Sequence, residues 1–290
     1  MKVFIAKTER DFLNSNEENV KSLINQSRVI RRLGTGKFGK VYHAKFVGNE
    51  TIPPTEYALK RLNRKSEHYN HDHVENEIEI STRNDNEFVL QCAAYLINSN
   101  FVYLVLPLCN ETLEDFREKQ NDMILTDIQC KHVCINVLTG LKYLDEMSVV
   151  HNDLKPENIL RFGEKFIISD FGLSRKGRRR SRDDASVVTG RSGTLTYQAP
   201  ETITFSEQST KSDIYSLGVM VHELQTDMVP YIDGSDVEDE EYADAIRFGD
   251  KSISDKISQP ARNFLITILH HNRYERPNAE ECLRLPFLQN

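Results

Sequence analysis

The stretch Val149-Val-His-Asn-Asp-Leu-Lys-Pro-Glu-Asn-Ile-Leu160 sets a carboxylate, an ammonium and an amide within six positions of each other, between two apolar runs. Pro156 and the pair Asn152-Asp153 favour a loop over a continued helix, and in a loop Asp153, Lys155 and Asn158 can all face one cleft. Taken alone, the same residues also read as a polar surface turn. Eight residues past Asn158 comes Phe166-Ile-Ile-Ser-Asp-Phe-Gly-Leu173, an apolar strand that ends in Asp170 and a glycine. An amide and a carboxylate delivered from two adjacent loops are hard oxygen ligands. They suit a Mg²⁺ ion that keeps some of its waters and shares a phosphate.

Elements on both sides must hold these groups. Residues 7–26 are polar, with Phe12, Leu13, Val20, Leu23 and Ile24 at roughly helical spacing, which predicts a short helix leading into the domain. Residues 27–46 then read as strand, glycine turn, strand, around Gly34-Thr-Gly-Lys-Phe-Gly39. Three mechanisms compete for that turn. A dinucleotide fold needs a helix after the third glycine, whereas Val41-Tyr-His-Ala-Lys-Phe46 is β-type sequence. A P-loop needs Ser or Thr where Val41 stands. A glycine flap between two strands lets backbone N–H groups approach phosphates from above. Tyr57-Ala-Leu-Lys-Arg61 follows as a strand, and His73-Val-Glu-Asn-Glu-Ile-Glu-Ile80 is helical in composition. Residues 88–109 read as two more strands, and after Asn110 the character changes to helices, so a lobe boundary is expected there. Thr126 to Leu144 is an amphipathic helix with Val133, Val137, Leu141 and Leu144 on one stripe. Cys130, His132 and Cys134 lie two apart on it and do not share a face, so core and surface places are expected rather than a metal site.

At 290 residues and 39% hydrophobic content the chain can form one large domain or two lobes. A net charge of −7 argues against nucleic acid as a general partner. Five irregularly spaced cysteines show no disulfide framework, so a reducing compartment, cytoplasmic or nuclear, is expected. The apolar start Val3-Phe-Ile-Ala6 is too short for a signal peptide or a membrane span.

The residues quoted so far, in this order, resemble the eukaryotic protein kinase family. Its H-R-D-L-x-x-x-N pattern stands here as His151-Asn-Asp-Leu-Lys-Pro-Glu-Asn158, with Asn152 in place of the usual arginine, and its D-F-G as Asp170-Phe-Gly172. Gly193-Thr-Leu-Thr-Tyr-Gln-Ala-Pro-Glu201 matches G-T-x-x-Y-x-A-P-E, Asp213-Ile-Tyr-Ser-Leu-Gly218 matches a helical motif, and Arg276 with Pro277 closes the series. The resemblance spans about Ser27 to Leu288. It implies an α+β, two-lobed kinase fold with a β-rich lobe at 27–109 and a mainly helical lobe at 110–288, residues 1–26 being an extension. It also implies ATP and Mg²⁺ as cofactors and a protein as substrate. By resemblance, Asp153 accepts or orients the proton of the attacking hydroxyl, Lys155 offsets charge on the moving phosphoryl group, and Asn158 and Asp170 hold Mg²⁺. Lys60 contacts the α and β phosphates, with Glu77 as its partner, while Glu75 and Glu79 point elsewhere at helical spacing. The flap Leu33, Gly34, Thr35, Gly36, Lys37, Phe38, Gly39, Lys40 and Val41 covers the nucleotide. Ala58, Leu106, the backbone of Pro107 to Cys109, and Leu160 complete its surroundings. Thr194 with Lys155 points to a Ser/Thr rather than a tyrosine kinase, and Arg276 is expected to pair with Glu201.

Several features are individual to this chain. Ser81 and Cys92 stand where the family usually packs bulky apolar side chains, so the stack with His151 and Phe171 is expected to be loose. A pseudokinase, a nucleotide-binding scaffold acting through contacts, is the rival reading. It is opposed by the presence of Lys60, Asp153, Asn158 and Asp170. Arg175-Lys-Gly-Arg-Arg-Arg-Ser-Arg182 can be read as a nuclear-import signal, a nucleic-acid patch or a phosphosite; the favoured reading is a regulatory loop with Ser181, Ser186, Thr189 and Ser192 as candidate phosphoacceptors. The acidic run Asp233 to Asp244 suggests basic substrates, including the chain's own arginine loop. Asn152 offers no charge to a phosphate, so activity is expected to depend little on phosphorylation of the segment between Asp170 and Glu201.

Overall fold

A computed structural model describes residues 17–36, 39–47, 56–177, 186–190, 192–231, 238–249 and 252–289. The chain divides into two compact units, one of residues 1–85 and 89–110, the other of residues 86–88 and 111–290.

The first unit opens with helix α1 (Glu17–Asn25). Strands β1 (Ser27–Gly36), β2 (Gly39–Phe46) and β3 (Glu56–Asn63), helix α2 (His71–Arg83), and strands β4 (Ala94–Ile97) and β5 (Phe101–Leu106) follow. The strands form one antiparallel sheet in the order β1-β2-β3-β5-β4. Side chains alternate between its faces. Tyr57 and Leu59 therefore point one way, into a cluster with Ala44, Phe46, Ala94, Leu96 and Val105 that Leu23 and Ile24 of α1 cover. Ala58, Lys60 and Leu62 point the other way, towards α2, whose N-cap Asn70 accepts the His73 N–H at 3.2 Å. The two helices thus close opposite faces of the sheet. Of the stretch 7–26 expected to be helical, α1 occupies 17–25 and residues 7–16 lie outside the described residues; the Ser27 hydroxyl that follows α1 donates to the Leu23 carbonyl and accepts from the Tyr57 hydroxyl.

The second unit is mainly helical, giving the α+β content expected. Its elements are β6 (Glu111–Thr112), α3 (Leu113–Glu118), α4 (Asp127–Glu146), β7 (Val149–Val150), β8 (Ile159–Phe162), β9 (Lys165–Ile168), β10 (Arg175–Lys176), β11 (Val187–Thr189), α5 (Pro200–Phe205), β12 (Glu207–Ser209), α6 (Thr210–Thr226), α7 (Asp239–Phe248), α8 (Gln259–Ile268), α9 (Ala279–Leu283) and α10 (Pro286–Gln289). Helix α4 begins in a capping box between Thr126 and Gln129. It buries Val133, Val137, Leu141 and Leu144, the stripe its spacing predicts. Helix α6 begins in a second capping box, between Ser209 and Ser212, and is buried on nearly every side. That makes it the rigid post of this unit. Cys130 and Cys134 lie in the core and His132 is exposed, its ring edge-on to Phe166. Among the described residues no group of His, Cys, Asp or Glu could hold a metal ion, and no helix is long and apolar enough to cross a membrane.

Candidate active site

In the second unit, β7 delivers the chain to a sharp turn. The His151 and Asn152 N–H groups donate to the two oxygens of Asp213 at 2.8 and 3.0 Å. Asp213 stands on the buried α6, and its own burial pushes its carboxyl up to about 6, against the lowering effect of those donors. Asn152 lies in the left-handed region with φ 72°, a conformation Asn adopts more readily than most residues. Its amide donates to the Leu173 carbonyl at 2.8 Å. This turn aims Asp153.

Pro156 to Asn158 make one 3₁₀ turn, which sends Asn158 back. Its Nδ2 donates to the Asp153 carbonyl at 2.7 Å and to Asp153 Oδ2 at 3.0 Å. From the other side Thr194 donates both its N–H and its hydroxyl to Asp153 Oδ1, each at 2.8 Å. Lys155 Nζ donates to the same Thr194 hydroxyl at 2.9 Å and lies 3.6 Å from Asp153 Oδ2. A carboxylate has about four acceptor directions. The described residues fill three on Asp153 and leave one on Oδ2, beside the Lys155 ammonium.

The loop carrying Asp170 is stitched to the same turn. Ser169 gives its N–H and hydroxyl to the Asn158 carbonyl, each at 2.9 Å, and its own carbonyl contacts His151 Nε2 at 2.9 Å. The Phe171 ring packs edge-on to His151 at 5.5 Å. Asp170 is held at φ 63°, one residue before that buried ring. Asp153, Lys155, Thr194 and Asn158 are thus in direct contact, with Asp170 bound to them through its neighbour Ser169. Arg276, wholly buried, bonds both oxygens of Glu201 at 2.8 and 3.1 Å. That pair holds the Glu201 carboxyl below its ordinary value even though burial pushes it up.

In the first unit Lys60 Nζ bonds Glu77 at 2.5 Å, while Glu75 and Glu79 pair with His71 and Arg83 on other sides of α2. Cross-strand partners share a face. The partners Val41 with Lys60, Lys60 with Leu104 and Ala58 with Leu106 therefore set Val41, Ala58, Lys60 and Leu106 on one face of the sheet. Leu33, Gly34, Thr35 and Gly36 lie on β1, exposed, and Gly39 and Lys40 begin β2. Lys37 and Phe38 lie outside the described residues. A Cβ at Gly34 or Gly36 would meet nothing within 4 Å, whereas one at Gly39 would sit 2.6 Å from the Arg61 carbonyl. Cys109 is half-buried, and burial pushes its thiol up to about 12, so it is not a ready nucleophile. Leu160 lies half-buried on β8 of the second unit.

The arginine run beyond Gly177 and residues 233–237 of the acidic run, with Ser181, lie outside the described residues. Ser186 is wholly buried, which removes it as an accessible phosphoacceptor, while Thr189 is exposed. Ser81 and Cys92 are buried at 2% each, and the Cys92 N–H donates to the Ser81 carbonyl at 2.9 Å. The anchoring of the turn by Asp213, and the contacts of Gln198 and Gln208 described below, had no local signal in the sequence.

A model of the protein kinase domain matches residues 27–288. The serine/threonine-protein kinase PLK4 of Danio rerio is 30% identical over 270 residues, which covers 91% of this chain and 27% of that protein. The calcium/calmodulin-dependent protein kinase type 1 of Caenorhabditis briggsae is 28% identical over 265 residues, covering 88% of this chain and 70% of that one. The smooth muscle myosin light chain kinase of Gallus gallus is 25% identical over 279 residues, 95% of this chain and 14% of that protein. The chain spans about a third or less of the length of the PLK4 proteins of Danio rerio and Drosophila that it matches.

Proposed function

The chain belongs to the protein kinase domain family, and from that premise we propose that it is a Ser/Thr protein kinase which moves the γ-phosphoryl group of ATP to serine and threonine hydroxyls of proteins. The observation that carries this reading is Thr194. Its hydroxyl bridges Asp153 and Lys155 at 2.8 and 2.9 Å, so that carboxylate, ammonium and acceptor-binding segment form one unit.

Asp153 orients the incoming hydroxyl and takes its proton at the remaining direction of Oδ2. Lys155, next to that oxygen, offsets charge on the transferring group. Asn158 has its amide nitrogen committed to Asp153, which leaves its amide oxygen to join the Asp170 carboxylate as a hard ligand pair for Mg²⁺. Lys60, held by Glu77, meets the phosphates. Val41, Ala58 and Leu106, on the same sheet face as Lys60, offer an apolar surface to the adenine. Bound Mg·ATP supplies the phosphoryl group and most of the charge neutralisation. Phosphoryl transfer asks the protein chiefly for placement and fixed charge. The carboxylates Asp239, Glu240 and Glu241, exposed at the start of α7, support a preference for basic Ser/Thr sites.

The test is transfer of labelled γ-phosphate from Mg·ATP to a basic Ser/Thr test protein and to the chain itself, with Asp153→Asn as control. Label on Ser or Thr that vanishes in the variant is expected. Wild type and variant equally silent while ATP still binds would overturn the reading in favour of a nucleotide-binding scaffold.

A further inference from the structure

Thr194 reaches Asp153 only if the backbone of 192–194 lies against the turn at Asn152. Gly193 permits that approach: it sits at φ +95°, and a Cβ on it would fall 2.1 Å from the Asn152 carbonyl oxygen. Permission is not attraction, and the holding contacts come from two buried glutamines. Gln208, on β12, donates from Nε2 to the Ser192 carbonyl at 2.8 Å and accepts the Ser192 hydroxyl on Oε1 at 3.0 Å. One amide thus grips both the carbonyl and the hydroxyl of one residue. Gln198 donates from Nε2 to the Ser192 carbonyl at 3.2 Å and to the Gly193 carbonyl at 3.1 Å.

The last of these contacts links the clamp to the chemistry. The Gly193 carbonyl and the Thr194 N–H belong to one planar peptide unit. Its oxygen is held by Gln198 and its N–H by Asp153 Oδ1, so fixing one end fixes the direction of the other. Both glutamines are buried, at 3% and 7% exposure, so water competes weakly for their amides. The four contacts described here join neutral groups only.

Resting on the kinase reading above, we infer that Gln198 and Gln208 are positioning residues for phosphoryl transfer: they hold the Ser192 and Gly193 carbonyls so that Thr194 orients Asp153. They touch neither substrate nor cofactor, and act through Thr194.

The experiment compares wild type with Gln208→Leu, Gln208→Met and Gln198→Leu. It measures kcat and the KM for ATP with a protein acceptor, thermal melting, and hydrogen exchange of the Thr194 amide. The leucine variants are expected to lose about tenfold or more in kcat, with the KM for ATP unchanged and the Thr194 amide exchanging faster. Gln208→Met keeps nearly the same length and volume but has no donor for the Ser192 carbonyl, so it is expected to behave like the leucine variant. A packing role alone would let it keep the wild-type rate. An active wild type with Gln208→Met at full rate, or Thr194 exchange unmoved in the leucine variants, overturns the clamp and leaves the kinase reading standing. If wild type transfers no phosphate, the kinase reading falls and takes the catalytic half of the inference with it. Should Gln208→Leu fail to melt cooperatively, Gln198→Leu carries the same test from the other side of the peptide unit.

Discussion

Replacing Thr194 by valine keeps the volume of the side chain and removes only its hydroxyl. Two hydrogen bonds go with it, to Asp153 Oδ1 at 2.8 Å and from Lys155 Nζ at 2.9 Å, while the N–H bond to Asp153 stays. Both lost bonds involve a charged partner, and such bonds are worth about 1.5–3 kcal/mol each where water cannot replace them. The side chains of Asp153 and Lys155 are 13% and 22% exposed, so water recovers part of the loss. A net of about 2 kcal/mol in the transition state corresponds to roughly thirtyfold in kcat. Thr194→Ser keeps both bonds and is expected to stay near the wild-type rate. Asp153 still has Asn158 and the Thr194 N–H, so the cost to folding should be about 1 kcal/mol, or some 2–4 °C in Tm. The assay is initial-rate transfer of labelled phosphate to a protein acceptor at saturating ATP, with melting curves alongside. A valine variant with the wild-type kcat would refute the idea that Thr194 sets Asp153 and Lys155 for the reaction.

The glycines of the first hairpin should separate in their effects. Gly39→Ala drives a Cβ into the Arg61 carbonyl and is expected to destabilise by about 1–3 kcal/mol in denaturant melts; Gly36→Ala meets nothing within 4 Å and should fold normally while binding Mg·ATP about tenfold more weakly by calorimetry. Asp213 gives a pH dependence. Its folded value of about 6 lies above the ordinary 3.8, so between those pH values the folded state holds the extra proton, and stability falls as pH rises from about 4 to 6. Urea melts across that window should show the slope, and Asp213→Asn should flatten it. Asn152 carries no charge and gives its amide to the Leu173 carbonyl, so phosphatase treatment should leave the transfer rate unchanged. Loss of activity on treatment would refute this.

The parts legible in the sequence were those whose logic is local. Asp153, Lys155 and Asn158 lie within one short loop. Lys60 and Glu77 could be paired because the kinase resemblance supplies both positions, and helical periodicity turns Glu75 and Glu79 away from Glu77. The capped α4 was readable from Thr126 onward. What could not be read depends on long loops closing in space. Thr194 meets Asp153 across 41 positions, and Asp213 meets Asn152 across 61. Gln208 and Gln198 look like ordinary polar residues until β12 and the segment before α5 are folded against each other. The helix at 17–25 was visible from its spacing, but its apolar face gave no hint that it would cover the sheet on the side opposite α2. Ser186 failed as a candidate for a related reason: a serine in a polar run reads as exposed, whereas here it packs against Gly177 and its carbonyl accepts the Thr210 N–H.

Three residues of the candidate site have positive φ: Asn152, Asp170 and Gly193. Left-handed backbone at a non-glycine residue costs roughly 1–3 kcal/mol and persists where the surroundings over-determine it. Here the surroundings are identifiable. Asp213 holds the Asn152 turn from the buried α6, Ser169 ties the Asp170 loop to Asn158, and Gly193 has no Cβ to oppose its contact with the Asn152 carbonyl. Arginine, usual in the family where Asn152 stands, tolerates that φ less well than asparagine. The substitution therefore does two things at once. It removes a cation that a phosphorylated segment would seek, and it lowers the strain of the turn that aims Asp153. A turn that is less strained and a segment clamped by neutral amides both favour one arrangement of the site without a modification to set it, which is the physical basis for expecting the unphosphorylated chain to be active.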